Sequence, residues 1–150
     1  MAGRRLKGGG TLVLDSEGLS KLAAGHERAR AHLQVALERG ARVVVSALTL
    51  TEVLRGGPRD TEVHRVLSRV TVVPVSPEIA RASGELLGRT GLSGHRCAID
   101  AVVAETALGR ERPVLLLTSD ADDMRRPVEM RRLVEEPDRP KGERVVVVHV

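Results

Sequence analysis

Five acidic residues stand where an apolar run ends or a helix begins: Asp15 after TLVL, Glu52 within LTLTEVLR, Asp100 within RCAIDAVVAETAL, and Asp120 and Asp123 after PVLLLT. Carboxylates a few ångströms apart raise one another's pKa and cannot all stay ionised, so gathering them calls for a cation. A donor set made only of oxygen, with no interleaved His or Cys, suits Mg²⁺ or Mn²⁺ and not zinc. Two such ions roughly 3.5–4 Å apart would polarise a phosphodiester, acidify an attacking water and stabilise the departing 3′ oxygen. The chemistry on offer is hydrolysis of a phosphodiester bond.

For these acids to meet, the elements that carry them must share one edge. The run 11–14 reads as a buried strand and 16–39 as helical, with Leu19, Leu22, Leu33 and Leu37 as its apolar stripe, Gly25 as a weak point and Gly40 as a C-cap. A second strand covers 43–45, a helix opens at Leu48, and another covers 61–68. The β-branched run 71–75 is a third strand, placed near an edge by Pro74. Ser76 and Pro77 give N-cap and N1 signals for a helix through Leu87. A buried helix covers 96–108 and ends at Gly109, 113–118 and 145–150 are the fourth and fifth strands, and the charged, proline-bearing stretch 135–143 is a loop. Continuous apolar strands alternating with helices indicate a parallel sheet covered on both faces, a single-domain three-layer α/β/α fold. The carboxyl ends of parallel strands lie together, which gathers Asp15, Glu52, Asp120 and Asp123. Asp100 joins them because its helix runs antiparallel to the strand that follows.

Length and composition bound the alternatives. At 150 residues the chain makes one domain, read as a flexible basic segment 1–10 followed by a domain over 11–150. There is no aromatic residue, so the stacking platforms of RRM- or OB-type RNA binders are missing. The net charge is +4, and all but three of the 24 basic residues are arginine, whose planar fork favours phosphate partners. Cys97 is the sole cysteine, which excludes an internal disulfide and zinc-ribbon spacing and fits a reducing, cytoplasmic setting. No apolar run is long enough for a signal-peptide core or a membrane span.

Taken in order, LVLDSEGLS, ALTLTEVLRG, CAIDAVVAETAL and LLLTSDADD resemble the four acidic motifs of PIN domains, especially the VapC-like toxin ribonucleases of type II toxin–antitoxin systems. That resemblance implies a mostly parallel five-stranded sheet ordered 3-2-1-4-5, with the strands before Asp15 and Asp120 side by side, about 4.8 Å apart. It implies metal ligation by Asp15, Asp100 and Asp120, a ligand or water-mediated role for Glu52, an outer metal-binding role for Asp123, and a substrate-positioning hydroxyl at Thr118. It further implies a Mg²⁺- or Mn²⁺-dependent endoribonuclease with RNA as substrate, a cognate antitoxin and a homodimer. The chain departs from the pattern at Glu17, where the family more often has a small polar residue, and at Asp122, an extra acid beside Asp123.

Each residue also has a plainer role. Glu52 follows Thr49 at capping-box spacing, Asp100 lies four residues from Arg96 at ion-pair spacing, and Asp15 and Asp120 could be ordinary N-caps. Arg55 and Arg96 are candidate phosphate contacts, although in a chain with so many arginines a solvated or salt-bridged role is the stronger reading for each. Cys97 reads as a small buried residue, and the five histidines as solvated or packing groups. A catalytically silent RNA- or protein-binding domain of the same fold is the alternative to a nuclease. A phosphatase or receiver-type enzyme fits poorly, because Asp15 lacks DxD spacing and no Asp ends the third strand.

Overall fold

The protein is described by a computed structural model over residues 9–119 and 125–150. Asp120, Asp122 and Asp123 lie outside the described residues, as do residues 1–8 of the N-terminal segment. In chain order the elements are β1 (Thr11–Leu14), α1 (Ser16–Ala23), α2 (Glu27–Glu38), β2 (Arg42–Ser46), α3 (Thr49–Val53), α4 (Thr61–Leu67) and β3 (Thr71–Val73). They continue as α5 (Pro77–Thr90), α6 (Gly94–Leu108), β4 (Val114–Thr118), α7 (Arg125–Leu133) and β5 (Val146–His149). The sheet runs β3-β2-β1-β4-β5, and all four pairings are parallel, as expected from the motif order.

Alternation along the strands decides the layers. Val13, Val44, Val73, Val114 and Leu116 point to one face, where Leu86 of α5, Ala101 and Ala104 of α6, and Met130 and Leu133 of α7 cover them. Leu12, Leu14, Val43, Val45 and Leu117 point to the other, under Leu19 and Leu22 of α1, Ala29 and Leu33 of α2, and Val63 of α4. Both cores are wholly aliphatic apart from Met130, so their tightness rests on interdigitated branched side chains. Among the described residues no helix is long and apolar enough to cross a membrane.

Several boundaries differ from the sequence reading, each for a local reason. The helix expected over 16–39 is two helices, because Gly25 adopts φ +77° and the turn closes through His26 N–H donating to Lys21 O at 2.9 Å. Strand β3 stops at Val73, ahead of Pro74, which has no N–H to offer the ladder. Helix α5 is capped by Ser76 as expected but runs on to Thr90, where Gly91 at φ +67° ends it. Helix α7 was not anticipated at all. The chain is already packed at Gly10, which is buried and accepts the Arg42 N–H at 3.0 Å.

Candidate active site

Asp15 follows β1 directly and is 1% exposed. Because Leu14 pairs with Leu117, the residue after it lies beside Thr118 at the end of β4, and its N–H donates to Leu117 O at 3.2 Å. The same residue caps α1: Gly18 N–H donates to Asp15 Oδ1 at 2.7 Å. Gly18 has to lack a side chain, since a Cβ there would sit 2.4 Å from Leu117 O. The N-cap reading of Asp15 is therefore correct for one oxygen only. Among the described residues Oδ2 is buried without a hydrogen-bond partner, and so is the hydroxyl of the neighbouring Thr118. Burial pushes the Asp15 pKa up to about 7, and the nearby Asp100 adds to the rise; the Thr118 hydroxyl, the Gly18 N–H and Arg126 oppose it without cancelling it.

Two further acids and one arginine complete the geometry. Arg126, in the first turn of α7, donates from Nε and Nη2 to Asp100 Oδ1 at 3.2 and 3.1 Å, and from Nη2 to Glu52 Oε2 at 3.1 Å. Its Nη1 lies 3.8 Å from Oε1 of Glu17 on α1. Burial raises the pKa of Asp100, with Arg126 pulling against it and Glu52 and Glu129 reinforcing it. Burial disfavours the charge on Arg126 too, but Asp100, Glu52 and Asp15 outweigh it and hold the guanidinium more firmly protonated than usual. One cation thus serves carboxylates from α3 and α6 while Asp15 stands close enough to feel both signs.

This rules between the alternatives for several residues. Glu52 is not a capping-box partner, because the N-cap position of α3 is Leu48, which has no side-chain cap to give, and the Glu52 carboxylate faces Arg126. Asp100 does not pair with Arg96, whose guanidinium bonds Glu129 of α7 instead. Arg55 donates to the carbonyls of Thr51 and Leu54 at 3.0 and 2.7 Å, holding the end of α3. Cys97 is fully buried, with Sγ 3.6 Å from Glu129 Oε2. The residue that sequence reasoning missed is Arg126. Its helix was legible, since Pro127 falls in a first turn and Met130, Leu133 and Val134 follow at helical spacing to form a buried stripe.

A hard divalent cation fits this donor set in kind: three carboxylates from three elements, one with an oxygen that is buried and unsatisfied among the described residues. Among the described residues no three acidic, histidine or cysteine side chains stand close enough together to hold an ion, and Asp120, Asp122 and Asp123 lie outside that set. Beside the acids opens a cavity of about 220 Å³ lined by Arg96, Asp100, Arg125, Arg126 and Glu129. A larger groove, about 290 Å³, lies away from the acids, between α1, α2 and α4 around Leu22, Leu33 and Val66.

A PIN domain family model matches residues 12–129. Among solved structures the fold is similar to a chain of VapBC2 from Rickettsia felis bound to a DNA fragment from its promoter, with TM-score 0.63, 16% identity, and coverage of 93% of this chain and 98% of that one. It is also similar to a chain of DNA-bound VapBC from Salmonella typhimurium, with TM-score 0.57, 18% identity, and coverage of 91% and 97%. No curated protein sequence matches the chain. At such identities the structural likeness is one of fold, but the family model spans Asp15, Glu52 and Asp100, and the strand order is the one the resemblance to PIN domains implied. The chain belongs to the PIN domain family, whose members are generally nucleases.

Proposed function

We propose that this protein is a divalent-metal-dependent endoribonuclease and the toxin of a toxin–antitoxin pair. The observation that carries this reading is Asp15: a carboxylate at the end of the central strand, one oxygen locked by Gly18 N–H, the other buried and unpaired, with Asp100 and Glu52 gathered about a single positive charge nearby. In this reading Asp15, Asp100 and Asp120 hold the metal, Glu52 binds it directly or through water, and Asp123 is the outer acid. Mg²⁺ or Mn²⁺ bound there would polarise the scissile phosphate and acidify the attacking water. Asp15 must be ionised to bind, and its fixed Oδ1 presents Oδ2 in one orientation. Thr118, with its hydroxyl unpaired beside Asp15, positions substrate. Arg96 and Arg55 are exposed and would contact RNA phosphates in this reading by trading their present bonds, to Glu129 and to the Thr51 and Leu54 carbonyls. The VapBC resemblance supports an antitoxin that covers the site and a homodimer, and the single Cys97 supports a reducing, cytoplasmic setting.

A second reading has an observation of its own. With Arg126 between Glu52 and Asp100, part of the acids' charge is offset without metal, as a silent RNA- or protein-binding domain would require. Cleavage of end-labelled RNA with Mg²⁺ or Mn²⁺, with EDTA, and with Asp15→Asn decides between them. Metal-dependent cutting that disappears in the variant is expected. A folded wild-type protein that binds RNA equally well in EDTA and never cuts it would establish the silent domain instead.

A further inference from the structure

Arg126 stands where a cation shared by Glu52 and Asp100 would stand. A single nitrogen, Nη2, is 3.1 Å from an oxygen of each, on two different helices, and Nε adds a second bond to Asp100. Ligand oxygens lie about 2.0–2.1 Å from Mg²⁺, so carboxylates spread around a guanidinium are held roughly 1 Å too far out for a metal shell. Among the described residues the acids are not gathered closely enough to hold an ion, and Arg126 stands between two of them. The guanidinium is also singly charged, while Glu52, Asp100 and Asp15 all act on it and Glu17 lies 3.8 Å away. A divalent ion matches that negative charge better than Arg126 does, yet the two cannot occupy one place.

We propose that Arg126 is a further residue of this site, the built-in counter-ion of its metal-free state, which holds Glu52 and Asp100 apart and has to be displaced before they can close on a divalent cation. The inference rests on the reading of Asp15, Glu52 and Asp100 as metal ligands. Displacement occurs in the side chain and not in the helix, because α7 is pinned by Pro127, Met130 and Leu133, all buried. The arginine's own bonds leave it room to move: it is about one-quarter exposed, and the cavity lined by Asp100, Arg125 and Glu129 opens beside it. Arg126 therefore sets the affinity for metal. A purely structural arginine would have the opposite signature, since its loss would loosen the carboxylates and weaken binding.

The test is calorimetric titration of Mn²⁺ into the full chain as wild type, Arg126→Gln and Asp100→Asn. Arg126→Gln is expected to bind Mn²⁺ at least about tenfold more tightly, within the usual range of coupling between sites. It is also expected to be less thermally stable than wild type in EDTA and to regain that loss when Mn²⁺ is added. Unchanged or weaker binding by Arg126→Gln, with wild-type binding that depends on Asp100, overturns this inference alone. Binding that Asp100→Asn leaves intact overturns the metal-site reading beneath it. If Arg126→Gln does not fold, side-chain ¹⁵N spectra of the wild type decide the matter. The Arg126 Nε–H signal is expected to move on saturation with Mg²⁺, and an unmoved signal overturns the proposal.

Discussion

Two arginine–carboxylate clusters sit at opposite edges of the same sheet and are built on different rules. At the amino edge, just ahead of β4, Arg112 forks onto Glu136 at 2.8 and 3.1 Å and gives further bonds to Glu143 O and Leu108 O at 3.0 and 2.9 Å. Arg139 bonds the same glutamate at 3.1 Å. Donors find acceptors, positive and negative charge roughly balance, and the cluster ties the loop after α7 to the start of β4. At the carboxyl edge one guanidinium faces several carboxylates, and Asp15 keeps a buried oxygen unpaired. A buried polar group without a partner costs about 1–3 kcal/mol, and at Asp15 that cost falls on a carboxylate standing beside other acids. The contrast separates an arginine that staples the chain from one that fills in for something else.

The sharpest way to break that contrast is to remove a charge from each cluster. Asp15→Asn and Asp100→Asn are expected to lower RNA cleavage on the order of 10³-fold or more while the protein stays folded, checked by end-labelled RNA and thermal unfolding together. Arg112→Ala is expected to do the reverse, leaving cleavage per folded molecule unchanged. Equal effects of the two kinds of substitution on activity would erase the distinction.

The next effect is in pH. The Asp15 pKa is raised by burial to about 7 from an ordinary 3.8, so folding favours its protonated form. Its stabilising contribution is then fully present below about pH 4 and is lost as pH rises through about 7, a difference of at most ~4 kcal/mol. Metal-free wild type should therefore lose stability between pH 5 and 8 relative to Asp15→Asn, and added Mg²⁺ should restore more of it at pH 8 than at pH 5. Denaturant titrations at the two pH values measure this, and parallel curves for the two proteins would contradict the assignment.

Smaller effects sharpen the link between packing and site. Gly18→Ala places a Cβ against Leu117 O and should destabilise the protein by about 3 kcal/mol, weakening Mn²⁺ binding because the cap that orients Asp15 shifts with it. Arg112→Ala leaves Glu136 largely buried and short of a partner, for about 2 kcal/mol of lost stability in urea, with Mn²⁺ affinity unmoved.

Much of this was legible in advance because it depends on local rules. The β-branched runs, the Ser76–Pro77 start and the acids that follow strands rest on alternation, capping and the shared edge of parallel strands, while the strand order is the one that the resemblance to PIN domains implied. Asp15 and Asp100 were visible for the same reason. Local rules also left real ambiguity: Thr49 and Glu52 have capping-box spacing, and Arg96 and Asp100 ion-pair spacing, yet neither pair forms. Asp120 and Asp123 lie outside the described residues, so their place in the site stays an inference from the motif.

By itself, then, the sequence determined which residues are apolar on which period, and hence the layers, the parallel sheet and the edge where the acids collect. Tertiary structure alone decided which charge meets which. Glu52, Asp100 and Arg126 are separated by up to 74 positions, and only the packing of α3, α6 and α7 around one sheet edge brings them together. Ion pairs of that kind are chosen by distance and desolvation in the folded state, and no spacing along the chain encodes either.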